Sequence, residues 1–210
     1  MQDKIQYGVL QWGPCVIRFK IPIDVHDVQL LLLKEGKASK EDASPELAGV
    51  LDKEVHFRDR DKFKDFFEQS FSLYNHAFGS WKKSTKKPPK YYLEKLWCNF
   101  QRPNDFNPPH SHGGALSFVI FLQLPEELKK ENQEYKGLSA GPGGITFLYG
   151  DGDSYAINKH SFFPEERDMY VFPAWVKHWV YPYQSDCTRI SVSGNVIDSM
   201  KLNQMEKNDK

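Results

Sequence analysis

From Tyr91 to Pro125 the chain reads YYLEKLWCNFQRPNDFNPPHSHGGALSFVIFLQLP, and from Asp168 to Asn195 it reads DMYVFPAWVKHWVYPYQSDCTRISVSGN. Both stretches are short apolar and aromatic runs interrupted by Pro, Gly and Asn, the texture of β-strands separated by turns. They predict strands near Tyr92–Phe100, His110–Leu124, Met169–Phe172, Val176–Tyr181 and Thr188–Val196, with one more at Ile145–Tyr149 between them. Many short strands at this spacing predict an antiparallel sandwich or barrel.

Upstream of this β half the pattern is different. Cys15 to Ile21 (CVIRFKI) alternates apolar and polar residues, as a half-buried strand does. Asp24 is placed to cap a helix over Val25 to Glu35, with Gly36 as its stop. Lys37 to Pro45 is a polar connection. Phe63, Phe66, Phe67, Phe71, Tyr74 and Phe78 then repeat on one face of a 3.6-residue period, predicting a second helix ended by Gly79. That aromatic stripe is best explained by packing against a sheet. Trp81 to Lys90 (WKKSTKKPPK), with five lysines and a Pro-Pro pair, reads as an exposed, stiff loop. The expectation is a mainly β fold with α elements, a jelly-roll-like β core and N-terminal supporting helices. Residues 1–90 would support a core at 91–200 within one integrated domain, followed by a polar tail at 201–210.

Composition bounds what the chain can do. Its 210 residues carry 28 Lys+Arg against 28 Asp+Glu, so the net charge is zero, which argues against bulk attraction to nucleic acid or anionic lipid. With 40 % apolar and 14 % aromatic residues it has enough for a core and is not a disordered chain. The mean hydropathy is −0.62, and no apolar run approaches the roughly 20 residues a membrane helix needs. Met1 to Tyr7 is polar and lacks the apolar stretch of a signal peptide. Cys15, Cys98 and Cys187, odd in number and far apart, fit free thiols rather than a disulfide framework. Together these features predict a soluble protein of the cytoplasm.

Three histidines of the β half carry chemistry. His110 and His112, in NPPHSHGG, are two residues apart, so on an extended backbone both project to one side and reach one metal ion. Pro108 and Pro109 favour that extended backbone, and Gly113–Gly114 leaves room beside it. His178 follows in FPAWVKHWVYPY, with Arg189 eleven residues later in CTRISVSGN. If Val176–Tyr181 and Thr188–Val196 pair as a hairpin turning between Tyr183 and Gln184, His178 and Arg189 stand opposite each other. Cross-strand neighbours have Cβ atoms about 5 Å apart. The Arg189 fork then lies where a metal-chelating acid would place a second, distal carboxylate, and Ser191 on the same face can donate to it. Taken singly, His178 also fits an imidazole bonded within the Trp175, Trp179 and Tyr181 cluster, and Arg189 a surface ion pair; only the joint pattern points to a site. His26, His56, His76 and His160 have no such company. The Gly150–Asp153 run lacks the spacing of a calcium loop and reads as a turn.

The order and spacing of these residues resemble the Fe(II)/2-oxoglutarate-dependent oxygenases, in the phage and bacterial branch akin to prolyl hydroxylases. WGPCVIRFKIP and ELAGVLDKEVHF look like that branch's N-terminal region. LWCNFQRPNDFNPPHSHGGALSFVIFLQLP, GGITFLY and DMYVFPAWVKHWVYPYQSDCTRISVSGN look like its catalytic double-stranded β-helix. The resemblance implies that His110 and His178 are iron ligands and that Arg189, assisted by Ser191, binds the distal carboxylate of 2-oxoglutarate. It makes Asn99 a further candidate for contact with cosubstrate or substrate. His112 stands where the usual triad has Asp or Glu, so a three-histidine site replaces two histidines and a carboxylate, and Fe(II) there is more cationic and harder to oxidise. Zinc and nickel also suit three imidazoles. The implied reaction uses O2, converts 2-oxoglutarate to succinate and hydroxylates an unactivated C–H of a peptide, prolyl-like residue or small molecule. Trp97, Phe118, Trp175 and Trp179 would wall the pocket, and Leu128–Pro142 and Asp151–Arg167 would frame substrate entry. Two alternatives stay open: a three-histidine metalloenzyme that ignores 2-oxoglutarate, and a non-catalytic jelly-roll binding module.

Overall fold

The computed structural model describes residues 13–21, 26–83, 88–150, 157–200 and 202. Two antiparallel sheets face each other. The larger has strands in the order β1-β8-β5-β10-β3-β2, and the smaller β4-β9-β6-β7. These strands are β1 (Ile17–Lys20), β2 (Lys53–His56), β3 (Tyr91–Gln101), β4 (Asn107–His110), β5 (Leu116–Gln123), β6 (Ile145–Leu148), β7 (Lys159–Phe162), β8 (Asp168–Pro173), β9 (Lys177–Val180) and β10 (Arg189–Asp198). Helices α1 (His26–Ala38) and α2 (Lys64–Lys82) cover the outer face of the larger sheet, and α3 (Glu126–Glu134) follows β5.

Side-chain alternation divides the larger sheet into two chemistries. On one face Leu96, Cys98, Phe100, Phe118, Ile120, Leu122, Ile190 and Val192 join Phe67, Phe71 and Tyr74 of α2 in the main core. Phe118 lies 4.6 Å from the Phe67 ring and 5.8 Å from Phe71, so the aromatic stripe does pack on a sheet. Val119, Phe121, Tyr170 and Phe172 face inward and form a second core with Ile145 and Phe147 of the smaller sheet and with Val176, which precedes β9. Beyond Trp97, the inward positions at this end of β3 and β10 are polar: Asn99, Gln101, Arg189 and Ser191, all buried. Burying that many polar groups between two sheets is costly unless they have partners, so this face marks the site.

The N-terminal elements are more than a support, because β1 and β2 pair with β8 and β3 and close both edges of the larger sheet. Neither glycine acts as a stop. α1 runs through Gly36, where an added Cβ would sit 2.8 Å from Cys98 Sγ, so glycine here permits the helix to approach β3. α2 runs through Gly79 and Trp81 to a left-handed cap at Lys83, φ 51°, whose N–H bonds to Gly79 and Ser80 carbonyls. Asp24 and the Asp151–Asp153 run lie outside the described residues. Cys15, Cys98 and Cys187 are free. Among the described residues no helix is long and apolar enough to cross a membrane.

Three other expectations are corrected. His110–Leu124 is two strands, because Gly114 at φ +99° turns the chain from the smaller sheet into the larger, where an added Cβ would come within 2.7 Å of the Val196 carbonyl oxygen. Part of the Leu128–Pro142 segment is helix α3, whose Leu128 is buried. The hairpin between Val176–Tyr181 and Thr188–Val196 does not form. β9 pairs with β4 and β6, and β10 with β3 and β5, so the connection crosses from one sheet to the other. Tyr183, almost fully buried, anchors that crossing: its hydroxyl lies 2.5 Å from the Gln101 carbonyl oxygen and accepts from the Arg189 N–H at 3.2 Å.

Candidate active site

His110 ends β4 directly opposite His178 on β9, and His112 follows just beyond the strand, its N–H bonded to the Ala174 carbonyl at 2.8 Å. The three rings come together with centroids 4.3, 4.9 and 5.1 Å apart. One nitrogen of each lies within 4.8 Å of the others, a geometry that can hold a metal ion, and among the described residues no carboxylate joins the group. Backbone oxygens fix two of the rings: Pro108 lies 2.6 Å from His110 Nδ1 and Val176 lies 3.0 Å from His178 Nδ1. Holding Nδ1–H leaves Nε2 to face inward as a lone-pair donor, which is how metal-binding imidazoles are oriented. His112 Nε2 is 3.3 Å from His178 Nε2. Burial lowers all three pKa values, to about 4 for His112 and about 3 for His178, so the rings are neutral near pH 7. Three inward, neutral nitrogen donors fit Fe(II), and equally zinc or nickel.

Arg189 reaches the same cavity from the other sheet. Its Nη1 donates to Gln101 Oε1 at 3.1 Å, and its guanidinium lies 4.9 Å from the Phe121 ring centre. The side chain is buried, and its Nε and Nη2 have no partner among the described residues. Burial lowers its pKa to about 10, which still leaves it charged at neutrality. A buried cation with two free N–H groups is strained by desolvation and complementary to a carboxylate. Ser191, one rung along β10, receives Asn99 Nδ2 at 3.3 Å, and Asn99 also reaches Ser193 at 3.2 Å. The donor set therefore fits an anionic, bidentate acid.

The cavity thus gathers every predicted site residue: His110, His112, His178, Arg189, Ser191 and Asn99. Of the four predicted wall residues, Trp97 and Phe118 line it, and Trp97 contacts the His112 ring at 5.7 Å. Trp175 and Trp179 do not. Trp179 follows His178 by one residue and so projects to the opposite face of β9, and the half-exposed Trp175 packs on Tyr149. Gln101, Ser193, Asn107 and Glu54 were not singled out from the sequence. Gln101 continues the period-two row Trp97, Asn99, Gln101 along β3, a signal that was available. Gln101 Nε2 donates to the Asp105 and Tyr181 carbonyls, which turns its Oε1 toward Arg189.

Comparison with known proteins agrees with this geometry. Residues 95–195 match the family described as "Putative 2OG-Fe(II) oxygenase". A prolyl-4-hydroxylase from Pseudomonas putida is similar at 17 % identity and TM-score 0.52, over 85 % of this chain and 90 % of that one. The viral collagen prolyl hydroxylase of Paramecium bursaria Chlorella virus-1, solved with 2-oxoglutarate, gives 12 % and 0.51, over 86 % and 94 %. SnoN, a non-heme α-ketoglutarate-dependent epimerase of nogalamycin biosynthesis, gives 14 % and 0.53, over 88 % and 78 %. The chain spans 51 % of the length of a Burkholderia pseudomallei oxidoreductase of the 2OG-Fe(II) oxygenase family, matched over 59 % of itself at 14 % identity and TM-score 0.40. No curated protein matches. The fold is the double-stranded β-helix of the three neighbours with TM-scores above 0.5. Residues 95–195, just under half of the chain, are similar to the 2OG-Fe(II) oxygenases, a family of enzymes that use Fe(II) and 2-oxoglutarate.

Proposed function

We propose that this protein is an Fe(II)/2-oxoglutarate-dependent hydroxylase acting on an unactivated C–H of a peptide, with a prolyl-like residue as one candidate, or of a small molecule. His110, His112 and His178 hold the iron, and Arg189 takes the distal carboxylate of 2-oxoglutarate with Ser191 and Asn99 beside it. Residues 91–200 carry the catalytic core and 1–90 complete and cover it, in a protein of the cytoplasm that does not act on nucleic acid or membrane. The bound metal and keto acid supply the oxidising chemistry. The chain's residues orient both partners, exclude water and hold the substrate still, which is where the protein contributes to such catalysis. One observation carries this reading: a buried Arg189 with two unpartnered N–H groups shares one cavity with three converging imidazoles. A metal site alone has no use for that cation.

Among the described residues no carboxylate joins the imidazole group, which favours a second reading, a three-histidine metalloenzyme that does not use 2-oxoglutarate. Succinate release with Fe(II), O2 and 2-oxoglutarate separates the two. The hydroxylase reading expects release that Arg189→Ala abolishes. The second reading expects metal binding with no succinate and no effect of Arg189→Ala. A protein that binds no metal is a jelly-roll binding module instead.

A further inference from the structure

On β2, in register with Asn99, Glu54 faces the same cavity. It is 1 % exposed, and among the described residues neither carboxylate oxygen has a hydrogen-bond partner. The amide oxygens of Asn99 and Asn107, on the same cavity, are unpartnered as well. Ser191, Asn99 and Glu54 form one rung across β10, β3 and β2. Two strand spacings, about 10 Å, therefore separate the β10 side of the cavity from Glu54. The polar groups sort along this rung: unpartnered donors on Arg189 at one side, unpartnered acceptors toward the other.

The Glu54 carboxyl lies against Gly49, where an added Cβ would come within 2.9 Å of Oε1 and 3.1 Å of Oε2. Leu47 and Leu51 of the same segment line the cavity with it. The charges that act on Glu54 are those of Asp42 and Asp105, both negative, while the neighbouring Lys53 ammonium sits over the Phe100 ring, 4.5 Å from its centre. Desolvation first, then these two carboxylates, push the Glu54 pKa up to about 7. An unpartnered acid in this position carries a desolvation cost that an incoming cation removes.

We propose that Glu54, flanked by Asn99 and Asn107, receives a positively charged N–H group of the substrate, an ammonium or guanidinium, at the side of the cavity remote from Arg189. The inference rests on the hydroxylase reading for which side the cosubstrate occupies, and it names the substrate class: a basic residue of a peptide, or an amine. Glu54 positions that group and so sets which C–H faces the metal site.

The probes are the capped amides of lysine, arginine, proline and glutamate, with n-butylamine as a free amine. They are titrated by calorimetry into the protein before and after anaerobic addition of Fe(II) and 2-oxoglutarate. The expected result is that a cationic probe binds at least about tenfold more tightly than the proline and glutamate amides, and that Glu54→Gln erases this preference. Preference for a capped residue over butylamine supports a peptide, and the reverse supports a small amine. Equal binding by all probes, binding by none, or a preference that survives in Glu54→Gln overturns the assignment. If Glu54→Gln fails to fold, wild type between about pH 6 and pH 8 decides instead: the preference must grow as the carboxyl ionises, and a flat profile overturns it. The visible absorption band of a metal-chelated keto acid reports the other reading separately. A Glu54-dependent cation preference without the band removes the hydroxylase reading only, and the band without the preference removes only the role of Glu54.

Discussion

His178 on β9 stands in register with His110 on β4, ring centroids 4.3 Å apart, each with its Nδ1 held by a backbone oxygen two residues earlier in the chain. Two strands of one sheet therefore present a matched pair of imidazoles, and His112 completes the group from the turn that follows. Loss of His178 or His110 is expected to abolish tight Fe(II) binding, measured by anaerobic titration. His112→Asp, which installs the usual carboxylate, is expected to retain iron, whereas His112→Ala loses most of it.

Among the described residues the buried Arg189 cation has no counter-charge, so its removal has opposite effects on stability and on binding. Arg189→Met is expected to leave the thermal midpoint unchanged or raised, since a buried unpaired charge is replaced by an apolar chain of similar length. The same change is expected to weaken 2-oxoglutarate binding by about a hundredfold, the loss of a charge-assisted pair. Calorimetry with 2-oxoglutarate and a melting curve on the same sample check both.

Gln101 acts on that interaction at one remove. Its Nε2 is committed to the Asp105 and Tyr181 carbonyls, and only Oε1 is left for Arg189 Nη1. Gln101→Leu is expected to raise the 2-oxoglutarate Kd about tenfold while Fe(II) affinity stays at the wild-type value. A fall in both affinities would show a general collapse of the cavity instead.

Much of this site was legible in the sequence, because it depends on period-two alternation. The pairs His110 and His112, and Arg189 and Ser191, follow from which side of an extended chain a residue faces, whereas Asn99 came only from the family resemblance. The placement of His178 near Arg189 was also expected, but by the wrong route. A short connection normally pairs its two strands; here β10 finds ten residues of partner on β3 and a second partner in β5, and the buried Tyr183 bridges the crossing. Strands β2 (KEVH) and β7 (KHSF) carry too few apolar residues to show as strands, and α3 buries only Leu128. Glu54 was invisible for that reason: it sits on a strand that only pairing with β3 defines.

Gly36 and Gly79 give a paired test of the helix packing. Gly36→Ala forces a Cβ against Cys98 Sγ and is expected to cost about 1–3 kcal/mol of unfolding free energy. Gly79→Ala meets nothing within 4 Å inside a helix and is expected to stabilise by up to about 1 kcal/mol. Urea denaturation of the two variants beside wild type reads both.

The raised pKa of Glu54 fixes the sign of one pH effect. An acid held at about 7 when folded and near 4.5 when unfolded keeps its proton in the folded state after the unfolded chain has released it. The folded protein therefore loses stability as pH rises from about 4.5 to about 7, by on the order of 3 kcal/mol, and regains it as pH falls. Glu54→Gln is expected to flatten the unfolding free energy across that window. An identical slope in wild type and variant would show that this carboxyl is not the group responsible.

Joint binding of iron and 2-oxoglutarate by the three imidazoles and Arg189 is read by anaerobic addition of Fe(II) and then 2-oxoglutarate to the metal-free protein. A visible charge-transfer band that requires His112 and is weakened by Arg189→Ala is the expected result. Iron binding with no band on saturation with 2-oxoglutarate would contradict it.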